Sequence, residues 1–291
     1  MKHLIVIGGP TASGKTALAI QLAQHYGTEI ISADSRQFYR ELCIGNARPS
    51  EEELDAAPHH FIADRSVTAP LSAGAFADEA LVRLADLHAR HDVVIAVGGS
   101  GLYLRALCEG LDEFPPVTPE ATLAVAALEE REGLPGLQRA VEQVDPVYYA
   151  TVDRQNGRRL QRALRVSYSA DRPYSSFLGQ RVERPFISHC FMPRIDRTLL
   201  YRHIEGRVRR MLENGLEAEA RKLYPLRDLR PMQTVGYQEW WPYIVGEGTI
   251  GEVQMLIERN SRRYAKRQLT WFREYQSVDD LSEIVKSVRN I

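Results

Sequence analysis

The feature that most constrains this chain is the run "GPTASGKT" from Gly9 to Thr16, set between the apolar stretch "HLIVIGG" and the helix-spaced "KTALAIQLAQHY". Strand, glycine-rich loop and helix in that order form the phosphate-binding βα unit. The loop's backbone N–H groups and the helix N-terminus cradle two adjacent phosphates. Lys15 would supply a fixed positive charge, and the Thr16 hydroxyl could ligate Mg²⁺ at the first helical turn. This commits the first hundred residues to an α/β design and leaves open whose phosphates are held.

Two further apolar runs end in chemically suggestive residues. "TEIISADSRQFY" predicts a second short strand ending at Ala33, Asp34 and Ser35, and "DVVIAVGGSGLYLRAL" a third, running into Gly98, Gly99, Ser100 and Gly101. Strands alternating with helices predict a parallel sheet covered on both faces, where ligands gather at the carboxyl ends of the strands. Asp34 is placed either to position a metal or to take a proton from a nucleophile. The turn-rich "LDEFPPVTPE" then interrupts the pattern, and helical sequence follows to about residue 180, which suggests an inserted helical domain over 114–182 between core segments 1–113 and 183–291. "RPFISHCFMP" reads as a strand returning to the sheet, and the helix after it breaks near Asn214 and Gly215.

Charge is segregated, although the formal net charge is only −1. Arg259 to Arg273 carries six Lys/Arg and no acid, and Arg154 to Ala170 five Arg and no acid. Arg154, Arg158, Arg162 and Arg165 recur at spacings that make one helical stripe, and Arg262/Lys266 and Arg263/Arg267 form i,i+4 pairs. Like charges so stacked repel unless an anion covers them. Tyr264, Trp271 and Phe272 interleave with the second stretch, fit either to stack bases or to form the buried face of a helix. The three cysteines lack CxxC spacing, so neither a disulfide framework nor a zinc site is expected. With the glycine-rich loop so near the first residue and no long apolar run, a cytoplasmic protein without leader or membrane span is expected.

The combination resembles one family. "GPTASGKT", "DSRQFY", "GGSGLY", "RRLQRAL", "LYRHIEGRVRRML", "VGYQEWW" and "YAKRQLTWFR" occur in the order and spacing of the bacterial tRNA dimethylallyltransferases, and the resemblance runs from Gly9 to Arg273. It implies a P-loop NTPase-like α/β core with an inserted all-helical domain. It also implies transfer of a dimethylallyl group from dimethylallyl diphosphate to N6 of adenosine 37 in the anticodon stem-loop of tRNA, by a monomer using Mg²⁺. Carried over residue by residue, Gly9, Pro10, Thr11, Ala12, Ser13, Gly14, Lys15 and Thr16 hold the diphosphate. Asp34 is the general base, with Thr16, Ser100 and Arg207 completing the catalytic set and Thr16 holding the metal. Asp34, Ser35, Arg36, Gln37, Arg158, Arg159, Arg162, Gly236, Tyr237, Lys266, Arg267, Gln268 and Arg273 face the RNA. Ser100 stands where the family usually has threonine, His203 where it has arginine and Arg165 where it has glutamate. Two other classes compete: a small-molecule or nucleotide kinase using the loop for ATP, which leaves the arginine stripe and the basic helix without a task, and a non-enzymatic RNA-binding protein with a degenerate loop, which leaves Lys15, Thr16 and Asp34 without one.

Overall fold

A computed structural model describes residues 1–180 and 182–288. The chain divides into two compact units, Met1–Glu109 with Arg184–Ile291, and Gly110–Glu183.

In the first unit, β1 (Lys2–Gly8) runs into the glycine-rich loop and α1 (Lys15–Tyr26), then β2 (Ile30–Ser32), α2 (Glu51–Ala56), β3 (His59–His60), α3 (Ala73–His88), β4 (Val93–Gly98) and α4 (Gly101–Glu109). The second unit is helical: α5 (Pro119–Val144), α6 (Pro146–Thr151) and α7 (Gly157–Ala170). α5 is kinked where Gly133 adopts φ 59° and ψ −155°, two residues before Pro135; proline cannot continue the hydrogen-bond ladder, and glycine absorbs the break. The chain then returns to the first unit with β5 (Phe186–Pro193), α8 (Arg197–Glu213), α9 (Leu216–Leu223), α10 (Trp240–Ile244), α11 (Ile250–Trp271), β6 (Gln276–Val278) and α12 (Leu281–Ser287). The α8–α9 break falls at Asn214 and at Gly215, whose φ is 92°.

All six strands are parallel, in the order β3-β2-β4-β1-β5-β6. Alternation along β1 explains its continuous apolar run. Leu4 and Val6 pack with Phe76, Leu84, Leu104 and Leu107 of α3 and α4, while Ile5 and Ile7 pack with Leu18 and Leu22 of α1 and Ile284 of α12. Side chains of successive strand residues point to opposite faces, so a strand covered on both sides must be apolar throughout. A separate core joins α8 to α11 through Leu200, Ile204, Val208, Trp240, Ile257 and Ala265. In the helical unit, Val125, Leu137, Val141, Leu160 and Leu164 form the core.

Three details differ from the sequence expectation. β2 ends at Ser32, so Ala33, Asp34 and Ser35 lie in the turn after it. β3 and β6 have two and three residues, too short for periodicity to register. Arg154 precedes α7, whose cap is Asn156; its guanidinium instead lies over the Tyr149 ring at 4.5 Å, and the helical stripe consists of Arg158, Arg162 and Arg165.

Candidate active site

Strand order decides what meets at the carboxyl edge of the sheet. β4 lies between β2 and β1, with Gly98 paired to Gly8 and Val97 to Ser32. The Asp34 turn, the Gly99–Ser100 turn and the glycine-rich loop therefore leave the sheet side by side. The approach is close: a Cβ on Gly98 would lie 2.3 Å from the Ala33 carbonyl oxygen, so only glycine fits.

The loop is held from within and from outside. The Ser13 hydroxyl donates to the Pro10 carbonyl at 2.8 Å, and the Lys15 ammonium donates to the same carbonyl at 2.6 Å. From α8, Arg207 donates through Nη1 to the Thr11 hydroxyl at 2.6 Å, while its Nε has no partner. On the same helix a ring nitrogen of His203 lies 3.2 Å from the Ala12 carbonyl oxygen. Ala12 has φ 64°, in the left-handed region that alanine rarely enters. Thr16 lies in the first turn of α1, half-buried.

Two cations sit close together here, and burial works against both. Loss of solvent around the Lys15 ammonium lowers it to about 8, with Asp34 opposing and Arg207 adding to the fall. Burial likewise lowers the Arg207 guanidinium to about 10, again opposed by Asp34. A pair of desolvated cations partly offset by one carboxylate has charge left over for an anion.

The Asp34 turn is tied down separately. Asp34 accepts from the Arg36 amide at 3.1 Å, and its own carbonyl accepts from the Gln37 amide at 3.0 Å. The Ser35 amide donates to the Ser100 hydroxyl oxygen at 2.9 Å, and that hydroxyl donates to Ser35 Oγ at 3.0 Å. Tyr264 of α11 lines the cavity beside this turn, and burial together with the Asp34 charge pushes its phenol up to about 12. Around this point a cavity of about 370 Å³ is lined by Thr11, Asp34, Arg36, Arg207, Tyr264 and Arg267 among others. Gly236 also lines it, whereas Gln37 turns its amide to the Ala47 carbonyl.

Two residues expected to face RNA are interior instead. Tyr237 is fully buried; its hydroxyl donates to Glu219 at 2.6 Å and accepts from the Gly45 amide at 3.1 Å. Gln268 is buried with both ends of its amide bonded, the carbonyl oxygen to the Thr11 amide and the NH₂ to the Gly99 carbonyl. The basic run divides as well. Arg262 is paired with Glu205 at 3.2 Å and Phe272 belongs to the sheet core, but Lys266, Arg267 and Arg273 are exposed. In the helical unit Arg158, Arg159 and Arg162 are exposed, and with Tyr148, Asn156 and Tyr174 they line a second depression of about 440 Å³. Lining residues such as Asn46, Thr234 and Ser261 stand in no motif, and no signal in one sequence singles them out.

The matching family model is "IPP transferase", over residues 37–275. The chain belongs to that family. Among its relatives, the tRNA dimethylallyltransferase of Christiangramia forsetii is 46% identical over 273 residues, covering 94% of this chain and 90% of that one. That of Flavobacterium johnsoniae is 42% identical over 285 residues, with 96% and 92% covered. Among solved structures, the full-length tRNA isopentenylpyrophosphate transferase of Bacillus halodurans superposes with a TM-score of 0.72 at 33% identity, covering all of this chain and 95% of that one. The family match spans Gln37 to Tyr275 and so begins after the glycine-rich loop and Asp34. No helix among the described residues is long and apolar enough to cross a membrane.

Proposed function

We propose that this IPP transferase family member moves a dimethylallyl group from dimethylallyl diphosphate to N6 of adenosine 37 in the anticodon stem-loop of tRNA. The N6–C1 bond forms as the C1–O bond to the diphosphate breaks; the N6 proton goes to the Asp34 carboxylate and pyrophosphate departs. An exocyclic adenine amine is a weak nucleophile because its lone pair is delocalised, so a base is needed as the bond forms. The observation that carries the reading is the cavity in which one carboxylate, Asp34, shares a wall with Thr11 and Arg207 of the phosphate-facing side. This supports a reading in which the proton acceptor and the leaving-group side line one cavity.

The roles follow from position. The loop Gly9–Thr16 receives the diphosphate on its amides, and Lys15 and Arg207 neutralise the charge that grows as pyrophosphate leaves. Ser100 fixes the Asp34 turn through Ser35. Among the described residues no cluster of three or more His, Cys, Asp or Glu side chains is suited to a metal. That fits Mg²⁺, which binds through one or two protein oxygens and otherwise through substrate phosphates and water. Thr16 is the protein oxygen at the loop's end, and a bound Mg²⁺ would add charge neutralisation at the diphosphate. Lys266, Arg267 and Arg273, and separately Arg158, Arg159 and Arg162, supply exposed cations for RNA phosphates. The protein is proposed to act in the cytoplasm as a monomer.

The test is incubation with unmodified tRNA, Mg²⁺ and labelled dimethylallyl diphosphate, followed by nucleoside analysis. Isopentenyladenosine confined to position 37 is the expected result. Label in another nucleoside, or turnover of ATP with a small-molecule acceptor in place of transfer, would overturn the reading.

A further inference from the structure

Gln268 lies one residue beyond the exposed Lys266–Arg267 pair on α11, yet it is only 4% exposed. Its Oε1 accepts from the Thr11 amide at 2.9 Å and its Nε2 donates to the Gly99 carbonyl at 2.8 Å. The space it uses exists only because residue 99 has no side chain: a Cβ there would lie 2.3 Å from Gln268 Nε2 and 3.7 Å from Asp34 Oδ2. Thr11 in turn accepts the Arg207 hydrogen bond through its hydroxyl, and Gly99 precedes Ser100, which holds the Ser35 amide. One buried amide thereby spans the phosphate-loop side and the general-base side of the cavity.

We propose that Gln268 is a positioning residue that clamps the Thr11 and Gly99 backbones at the separation needed for transfer, and that it ties this separation to the helix carrying Lys266 and Arg267. A glutamine suits the task because a neutral amide offers one acceptor and one donor at opposite ends. Leucine or methionine of similar size offers neither, and would leave the part-buried Thr11 amide and the buried Gly99 carbonyl without these partners. The proposal rests on the assignment of the cavity to prenyl transfer.

Two substitutions test it from opposite sides of the contact. Gln268→Met keeps the length without the hydrogen bonds, and Gly99→Ala pushes the amide away by its Cβ. Three quantities are measured for each and for the double variant: kcat with saturating tRNA and dimethylallyl diphosphate, affinity for inorganic pyrophosphate by calorimetry, and affinity for tRNA by filter binding. Each single variant is expected to lose about 10- to 100-fold in kcat, the scale of a small misplacement of reacting groups, and to bind pyrophosphate more weakly, with tRNA affinity within about twofold of the parent. The double variant is expected to lose no more than the worse single one, because both break one contact. Weaker tRNA binding with unchanged kcat and pyrophosphate affinity would make Gln268 an RNA contact and overturn the proposal, as would full additivity. If the parent protein transfers no prenyl group, the functional assignment fails by itself, and pyrophosphate affinity in the variants still decides whether the clamp exists. Should Gln268→Met not fold, Gly99→Ala alone carries the same kcat-against-tRNA-affinity comparison.

Discussion

At the residue scale the site is an arrangement of few charges in little water, and each carries a distinct expectation. Asp34→Asn preserves size and can still bond the Arg36 amide through its side-chain oxygen, but it cannot accept the N6 proton. A fall in kcat of roughly 10²-fold or more is expected with tRNA affinity little changed. Single-turnover rates near the parent's would remove Asp34 from the role. Lys15 makes a prediction about pH. Its ammonium is lowered to about 8 by burial, so the free protein loses this charge as pH rises through that value. Because a diphosphate prefers the protonated form, kcat/KM for dimethylallyl diphosphate is expected to fall above about pH 8, approaching tenfold per pH unit, while kcat at saturation changes less. A profile flat from pH 7 to 9.5 would show that the lysine carries no proton-dependent share of binding. Lys15 and the loop were legible because their types and order are dictated by phosphate chemistry, and Asp34 because it follows a predicted strand at the edge where ligands gather. The inward turn of Gln268 was not, since a glutamine amid lysines and arginines reads as polar surface and only the tertiary fold supplies Thr11 and Gly99 as partners.

At the element scale, what the sequence revealed depended on length. β1, β4 and β5 have seven, six and eight residues, and α11 has 22; such runs are long enough to declare themselves, the strands as apolar stretches bounded by turn residues and the helix by its periodicity. β3 and β6 do not, because two or three residues have no period. They are defined by register against β2 and β5, which is a property of the sheet. The stripe starting at Arg154 failed for a related reason: four-residue spacing continues past a helix start, but the Asn156 side chain accepts from the Arg159 amide and begins α7 after Arg154. Basic helices also separate into used and unused charge. Arg262 is neutralised by Glu205 and Glu258, whereas no ion pair is formed by Lys266, Arg267 or Arg158 among the described residues. Replacing any of these three by alanine is expected to raise KM for tRNA and to reduce the magnitude of the salt slope of binding by about one, since one fewer counterion is released. Arg262→Ala should leave the slope nearly unchanged. Affinity measured at several salt concentrations checks this, and an unchanged slope in all three would mean that these charges do not meet phosphate.

At the scale of the whole molecule, the candidate site lies at the carboxyl edge of the sheet, and a set of histidines lies in and below the strands away from it. His3 on β1 and His189 on β5 stack with centroids 5.3 Å apart, and His3 Nδ1 lies 3.0 Å from His189 Nε2. One ring must donate and the other accept, so at most one proton occupies that contact and protonation of both rings sets two donors face to face. His88, at the end of α3, is buried with its Nε2 unpartnered. Burial lowers His3, His88 and His189 below the usual imidazole range, as it does His59 of β3. The unfolded chain takes up protons at these sites as pH falls below about 6.5, while the folded chain resists until lower pH, so unfolding is favoured progressively across that window and unaffected above it. Denaturant midpoints of the intact protein are therefore expected to fall steadily from about pH 7 toward pH 5. His189→Asn keeps a polar partner for His3 that does not titrate. It is expected to lower stability at neutral pH modestly, by about 1 kcal/mol as for one altered hydrogen bond, and to flatten the acid limb. A variant whose midpoint falls as steeply as the parent's between pH 6.5 and 5 would assign the acid sensitivity to other groups.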